Sequence, residues 1–96
     1  MVYRVVYTKR ALDDLAEIVG YLAEDSADAA SSFGEAFIDH IELLAQFPQM
    51  GDLIGKRSKV RRLLHSPVIV YYRADVRGHK VEVLHIRDAS RRGIGF

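Results

Sequence analysis

Ninety-six residues with no cysteine exclude a disulfide framework and a thiolate metal centre, and they supply one modest apolar core. No apolar run reaches the ~20 residues of a spanning helix and the amino terminus carries no signal-peptide pattern, so the reading is a cytoplasmic chain with no membrane partner. The net charge of +1 hides an asymmetry: residues 1–55 hold three basic against ten acidic side chains, and residues 56–96 hold eleven against three. Such a split creates a field that steers an acidic partner to the basic half.

Residues 2–7 (VYRVVY) are β-branched and aromatic, which predicts a first strand. Thr8 stands where an N-cap is needed, and Leu12, Leu15, Val19 and Leu22 then recur at helical spacing, widened by Ala11 and Ile18. Asp13, Asp14, Glu17 and Glu24 fall on the opposite side, so the first helix is amphipathic and runs to about Glu24. Ser26 caps a second helix with Asp28 in its first turn and an apolar stripe of Phe33, Phe37, Ile41 and Leu44. Pro48 ends it, because proline cannot continue the hydrogen-bond ladder. The short connection at Asp25 predicts an antiparallel helical hairpin.

Residues 48–58 read as a loop with two glycines. Strands are predicted over 59–65 and 68–74, broken at Pro67, and over 80–87, reached through an Asp75-Val76-Arg77-Gly78 turn. Residues 88–96 form a short basic tail. The order is β-α-α-β-β-β: an α+β fold, one domain over 1–96, with the helix hairpin on one face of a small, mainly antiparallel twisted sheet. The other face or its rim receives Arg61, Arg62, Arg73, Arg87 and the tail arginines, Arg91 and Arg92.

Histidines stand at 40, 65, 79 and 85 without metal-binding spacing, so no metal site is expected. His40 reads as surface and His79 as turn. His65 and His85 are placed to face each other across the sheet as base and acid, against the plainer reading of sheet histidines bonded to neighbours. The arginines suit phosphates or an acidic protein surface. Of Tyr71 and Tyr72, one points inward and is core, and the other is free to stack on a base; the sequence leaves open which. No glycine-rich phosphate loop or nucleophile triad is present, and no cofactor is implied.

The stretch YRVVYTKRALDDLAEIVGYLAE resembles the opening strand and first helix of the RelE/ParE superfamily of bacterial toxins. LLAQFPQMG is similar to the end of that family's second helix, and VRRLLHSPVIVYYRAD with KVEVLHIRDASRR to its closing strands. The resemblance spans nearly the whole chain. It implies the toxin of a type II toxin–antitoxin pair, of the ParE-like or plasmid-stabilisation branch. A cognate antitoxin would neutralise it, and promoter DNA would be met only through that antitoxin. ParE-like members inhibit DNA gyrase through their basic C-terminal part, which implies Arg61, Arg62, Arg87, Arg91 and Arg92 as target-binding residues. RelE-like members cut messenger RNA on the ribosome; by that analogy Arg61, Arg62 and Arg73 would hold phosphate while His85 or Tyr72 moves a proton. Many of these carry an arginine heading the third strand, where this chain has Val68, and several end in tyrosine, where it closes Gly93-Ile94-Gly95-Phe96. Both departures weigh toward gyrase. A degenerate toxin that only binds its antitoxin is a further alternative.

Overall fold

Two hydroxyl side chains set the junctions from which the fold grows, and a computed structural model describes them within residues 2–90. Strand β1 (Arg4–Tyr7) passes into helix α1 (Lys9–Asp25) at Thr8, whose Oγ1 accepts the Ala11 N–H at 3.1 Å and donates to the Leu84 carbonyl at 3.2 Å. One hydroxyl thus caps the helix and ties its start to the last strand. Ser26 alone joins α1 to α2 (Ala27–Glu42): its N–H closes on Leu22 O, and its Oγ accepts the Ala29 N–H. A one-residue joint folds the helices back as the expected hairpin. A 3₁₀ turn at Leu43–Ala45 tightens the exit toward Pro48.

The rest of the chain forms β2 (Asp52–Leu53), β3 (Val60–His65), β4 (Val68–Asp75) and β5 (Lys80–Asp88). The sheet order is β1-β5-β4-β3-β2, with β1 parallel to β5 and every other pair antiparallel. β1 is therefore an edge strand. β2, inside the segment expected to be loop, is the other edge; two residues without a β-branched run give no periodicity to read. Ser66-Pro67, a cis peptide, makes the β3–β4 turn. In the β4–β5 turn the Asp75 carboxylate accepts the Gly78 N–H at 3.0 Å, and a Cβ on Gly78 would lie 2.6 Å from that same carboxylate.

Ala11, Ile18, Phe37, Ile41 and Leu44 pack onto Leu63, Val68, Val70, Tyr72, Val81, Val83 and Ile86, with Leu15, Leu22 and Phe33 beside them. The inward line of α1 is Ala11–Leu15–Ile18–Leu22, so Leu12, expected in the stripe, lies about 100° round the helix and is 52% exposed. Fully buried Phe37 is the largest apolar side chain α2 contributes; truncating such a residue to alanine costs about 3–5 kcal/mol.

A single bulge decides which side chains of β5 reach the surface. Tyr72 pairs with Val83 and Tyr71 with His85, so Leu84 is one residue extra on β5. Val81 and Val83 face the helices before it and Ile86 after it; without the extra residue Ile86 would turn out and His85 in.

Candidate functional site

Alternation on β4 separates the faces: Val68, Val70 and Tyr72 are buried under the helices, while Ile69, Tyr71 and Arg73 look to the opposite, open face. Register then aligns Arg62, Tyr71 and His85 in one cross-strand row. Leu64, Ile69 and Arg87 form a second row, and Arg73 with Glu82 belongs to a third. Arg62 and Leu64 are exposed, Leu64 at 63%. Arg73 reaches Glu82 at 3.4 Å, a surface pair of small worth. The open face is therefore basic, aromatic and aliphatic at once.

β1 covers β5 only to Val83, which leaves the β1 side of the backbone beyond it without a strand neighbour among the described residues, while β4 pairs its other side. Asp14 on α1 fills the gap: its Oδ2 accepts the Ile86 N–H at 2.9 Å and lies 2.7 Å from His85 Nδ1. With Nδ1–H donating, Nε2 is left as the imidazole's acceptor. The His85 ring stacks on Tyr71, centroids 5.6 Å apart and 12° from parallel. A carboxylate thus fixes the tautomer and orientation of an imidazole against an aromatic plate. Asp14 gives no sign in the sequence, where it is one carboxylate of an acidic helix; only the short β1 and the bulge bring it to His85.

Tyr72, named with His85 as a proton carrier, is corrected to the core. Its hydroxyl accepts the Gly51 N–H at 2.8 Å and donates to Pro48 O at 2.8 Å, and burial pushes its phenol up. Tyr71 is the outward tyrosine. Arg61, paired with Tyr72, also leaves the open face, donating from Nη1 to Gly51 O at 2.8 Å, so it braces the loop before β2. His65 and His85 do not meet. His65 lies on the helix side, edge-on to Phe33 and Phe37, with its Nδ1 2.7 Å from His40 Nδ1. His40, read as surface, is half-buried in that contact. Burial first, and the His40 charge second, lower the His65 pKa below its ordinary value. Of the residues proposed to act together, Arg62, Arg73, His85 and Arg87 share the open face; Arg91 and Arg92 lie outside the described residues.

Among the described residues there is no cluster of three metal-ligating side chains and no helix long and apolar enough to cross a membrane. Residues 5–93 match the family model for the ParE toxin of type II toxin–antitoxin system, parDE. A search of curated proteins gives no match. Among solved structures, the chain is similar to one from the chromosomal ParDE toxin–antitoxin system of P. aeruginosa, with a TM-score of 0.74 at 20% identity, over 91% of this chain and 96% of that one. It is also similar to a chain of the toxin–antitoxin complex RelBE2 of Mycobacterium tuberculosis, with a TM-score of 0.62 at 20% identity, over 92% and 99%. Both neighbours share the two-helix, mixed-sheet fold, and the family model covers all but the ends of the sequence: the chain belongs to the ParE toxin family of type II toxin–antitoxin systems.

Proposed function

We propose that this toxin arrests growth by docking on DNA gyrase through its open sheet face, and that a cognate antitoxin neutralises it. The observation that carries the reading is the composition of that face, where Arg62 lies among Leu64, Ile69 and Tyr71. Guanidinium groups interleaved with aliphatic and aromatic surface suit a protein carrying acidic residues better than a bare phosphate backbone. Arg62 and Arg87 are the docking residues on the sheet, and Arg91 and Arg92 continue the basic sequence beyond it. Arg61 contributes by holding the β2 loop. The action is binding in the cytoplasm, with no cofactor. Promoter DNA is met through the antitoxin, a partner that family membership and the ParDE and RelBE2 neighbours support. Purified toxin is expected to inhibit gyrase supercoiling, and Arg62→Glu to weaken that inhibition at least tenfold. Unimpaired supercoiling at micromolar toxin excess defeats the reading.

One observation favours a second reading, ribosome-dependent cleavage of messenger RNA: the Asp14–His85 pair stacked on Tyr71, one row from Arg73. An imidazole with a fixed tautomer is equipped to take a 2′-hydroxyl proton, and Arg62 and Arg73 to hold phosphate. Primer extension on translated messages separates the two. New 5′ ends that vanish in His85→Ala support cleavage, whereas full toxicity in that variant removes it. Expression without growth arrest would leave an antitoxin-binding protein alone.

A further inference from the structure

Away from the open face, and from the cleft that Lys59 and Arg61 line at the β2 edge, two imidazoles converge on the helix side of the sheet. His40 stands in the last turn of α2, and His65 ends β3 just before the Ser66-Pro67 turn. Spacings of four and three residues put Phe33, Phe37 and His40 on one face of α2. Strand parity puts His65 on the face of β3 that carries buried Leu63. The two phenyl rings meet His65 edge-on, with centroids 5.6 and 5.3 Å away, and so fix the direction in which its Nδ1 points. That direction is toward His40 Nδ1, at 2.7 Å. Among the described residues each ring is the other's only polar protein partner, and neither Nε2 is sealed from solvent.

We infer that His40 and His65 form a two-imidazole chelate for a divalent transition-metal ion of the zinc class, tying the last turn of α2 to the end of β3. With nitrogen–zinc bonds of about 2.0–2.1 Å at a tetrahedral angle, two imidazole centroids stand roughly 5.2 Å apart. Here they stand 5.0 Å apart, with the ring planes at 45°. The rings are therefore already at chelating distance. Each needs only to tilt, so that its Nδ1 lone pair turns from the other ring toward a shared point. Without metal, one Nδ1 carries the shared hydrogen. Binding moves that hydrogen through solvent to Nε2 of the same ring, so both rings coordinate as neutral ligands and no proton is released. Imidazoles without a carboxylate select zinc, nickel or copper over magnesium and calcium, which take oxygen ligands. No third ligating side chain joins the pair among the described residues, so water completes the coordination and the ion binds reversibly. The 25 residues between the two histidines leave no ligand spacing to read in the sequence. The ion stabilises the fold, and neither docking on gyrase nor proton transfer at His85 requires it.

The test is calorimetric titration of the whole chain, free of any histidine tag, with zinc chloride. One saturable site per chain is expected, and no binding heat from magnesium chloride. Binding should weaken at least tenfold in His40→Gln and in His65→Gln, and less than twofold in His79→Gln. Saturating zinc should raise the thermal midpoint by about 5 °C or more, and a chelator should reverse the rise. Should His65→Gln fail to fold, the side-chain nitrogen resonances of the wild type decide: zinc must shift Nδ1 of His40 and His65 and leave that of His79 in place. Equal binding by wild type and His40→Gln, or no binding at all, overturns the proposal. Binding lost in His85→Gln but kept in His40→Gln assigns the ion to Asp14 and His85, which also overturns it. One ion per two chains, with dimerisation, overturns it in favour of a bridge between molecules. Because neither gyrase nor messenger is present, failure here leaves the proposed function standing, and a failed supercoiling assay leaves this result standing.

Discussion

The His40–His65 contact makes the stability of this toxin depend on pH in a direction that can be worked out from geometry. At 2.7 Å one Nδ1 must donate its hydrogen and the other accept it, so the folded pair holds no more than one of the two extra protons without breaking the bond. Two charged rings with centroids 5.0 Å apart repel by about 3 kcal/mol at an effective dielectric of about 20, and by about 1 kcal/mol in bulk water. His65 is only half-buried, so screening places the cost at roughly 1–2 kcal/mol. The His65 pKa is lowered in the folded state, chiefly by burial and then by His40. The folded form therefore binds fewer protons than the unfolded chain, and stability present above the ordinary histidine value of 6.5 is lost as pH falls below it. Thermal midpoints measured at pH 7.5 and 5.0 should drop by roughly 4–8 °C for each kcal/mol in a domain of this size. His40→Gln removes one charge and keeps a hydrogen-bonding side chain, so it should abolish the share of that drop that His40 contributes and leave the larger share that burial of His65 causes. The reasoning is refuted if wild type and His40→Gln lose the same number of degrees between the two pH values.

Tyr72→Phe should cost about 1–3 kcal/mol in urea unfolding, because it strands the buried Gly51 N–H. Tyr7→Phe should cost nothing or stabilise: the Tyr7 hydroxyl is buried without a partner among the described residues, and burial with the Glu42 charge pushes its pKa up to about 12. Lys59 has φ 64°, a left-handed conformation that costs a residue with a Cβ about 1–2 kcal/mol, part of which glycine gives back in unfolded-state entropy. Lys59→Gly should therefore raise stability by about 0.5–1 kcal/mol; a loss would mean that the cleft-lining side chain contributes more than its backbone strain removes. Asp14→Ala should destabilise by about 1–3 kcal/mol by orphaning the Ile86 N–H, with Asn recovering most of it, since an amide oxygen accepts the same bond. Equal losses for Ala and Asn would assign the effect to charge.

Helices and long strands were legible because their signals are local and repeat. The Phe33–Phe37–Ile41–Leu44 stripe and the Thr8 and Ser26 caps each need only a few neighbouring residues to be read. β2 was not, since a two-residue strand is defined by its partner and not by its own pattern. The site failed in the same way. Placing His65 opposite His85 requires knowing strand parity, which the Leu84 bulge shifts for half of β5. Choosing Tyr71 over Tyr72 requires knowing that Pro48 and Gly51 wait on the inner side for a hydroxyl. Asp14 and His85 are 71 residues apart, and their contact exists only because β1 stops at Tyr7.

The charge split read along the chain becomes a split between layers. Asp13, Glu17, Glu24, Asp28, Glu35 and Asp39 are exposed on the helices, whereas Arg62 and Arg73 are exposed on the sheet face that the helices do not cover. The shortest dimension of the molecule, 21 Å, exceeds the ~8 Å over which charges communicate through physiological salt. The acidic layer therefore does little to cancel the basic one for a partner approaching the sheet. Asp14 is the exception that links the layers, a helix carboxylate turned to the rim of the basic face, where it orients His85 and closes the gap left by a short edge strand. The β2 edge is basic by a different route, through its loops, and lies at the opposite end of the strand order from β1. The open face and the β2 edge thus carry their cations on separate elements, Arg62 and Arg73 on β3 and β4 and Lys56 and Arg57 in the β2–β3 loop, so a substitution on one surface leaves the cations of the other in place.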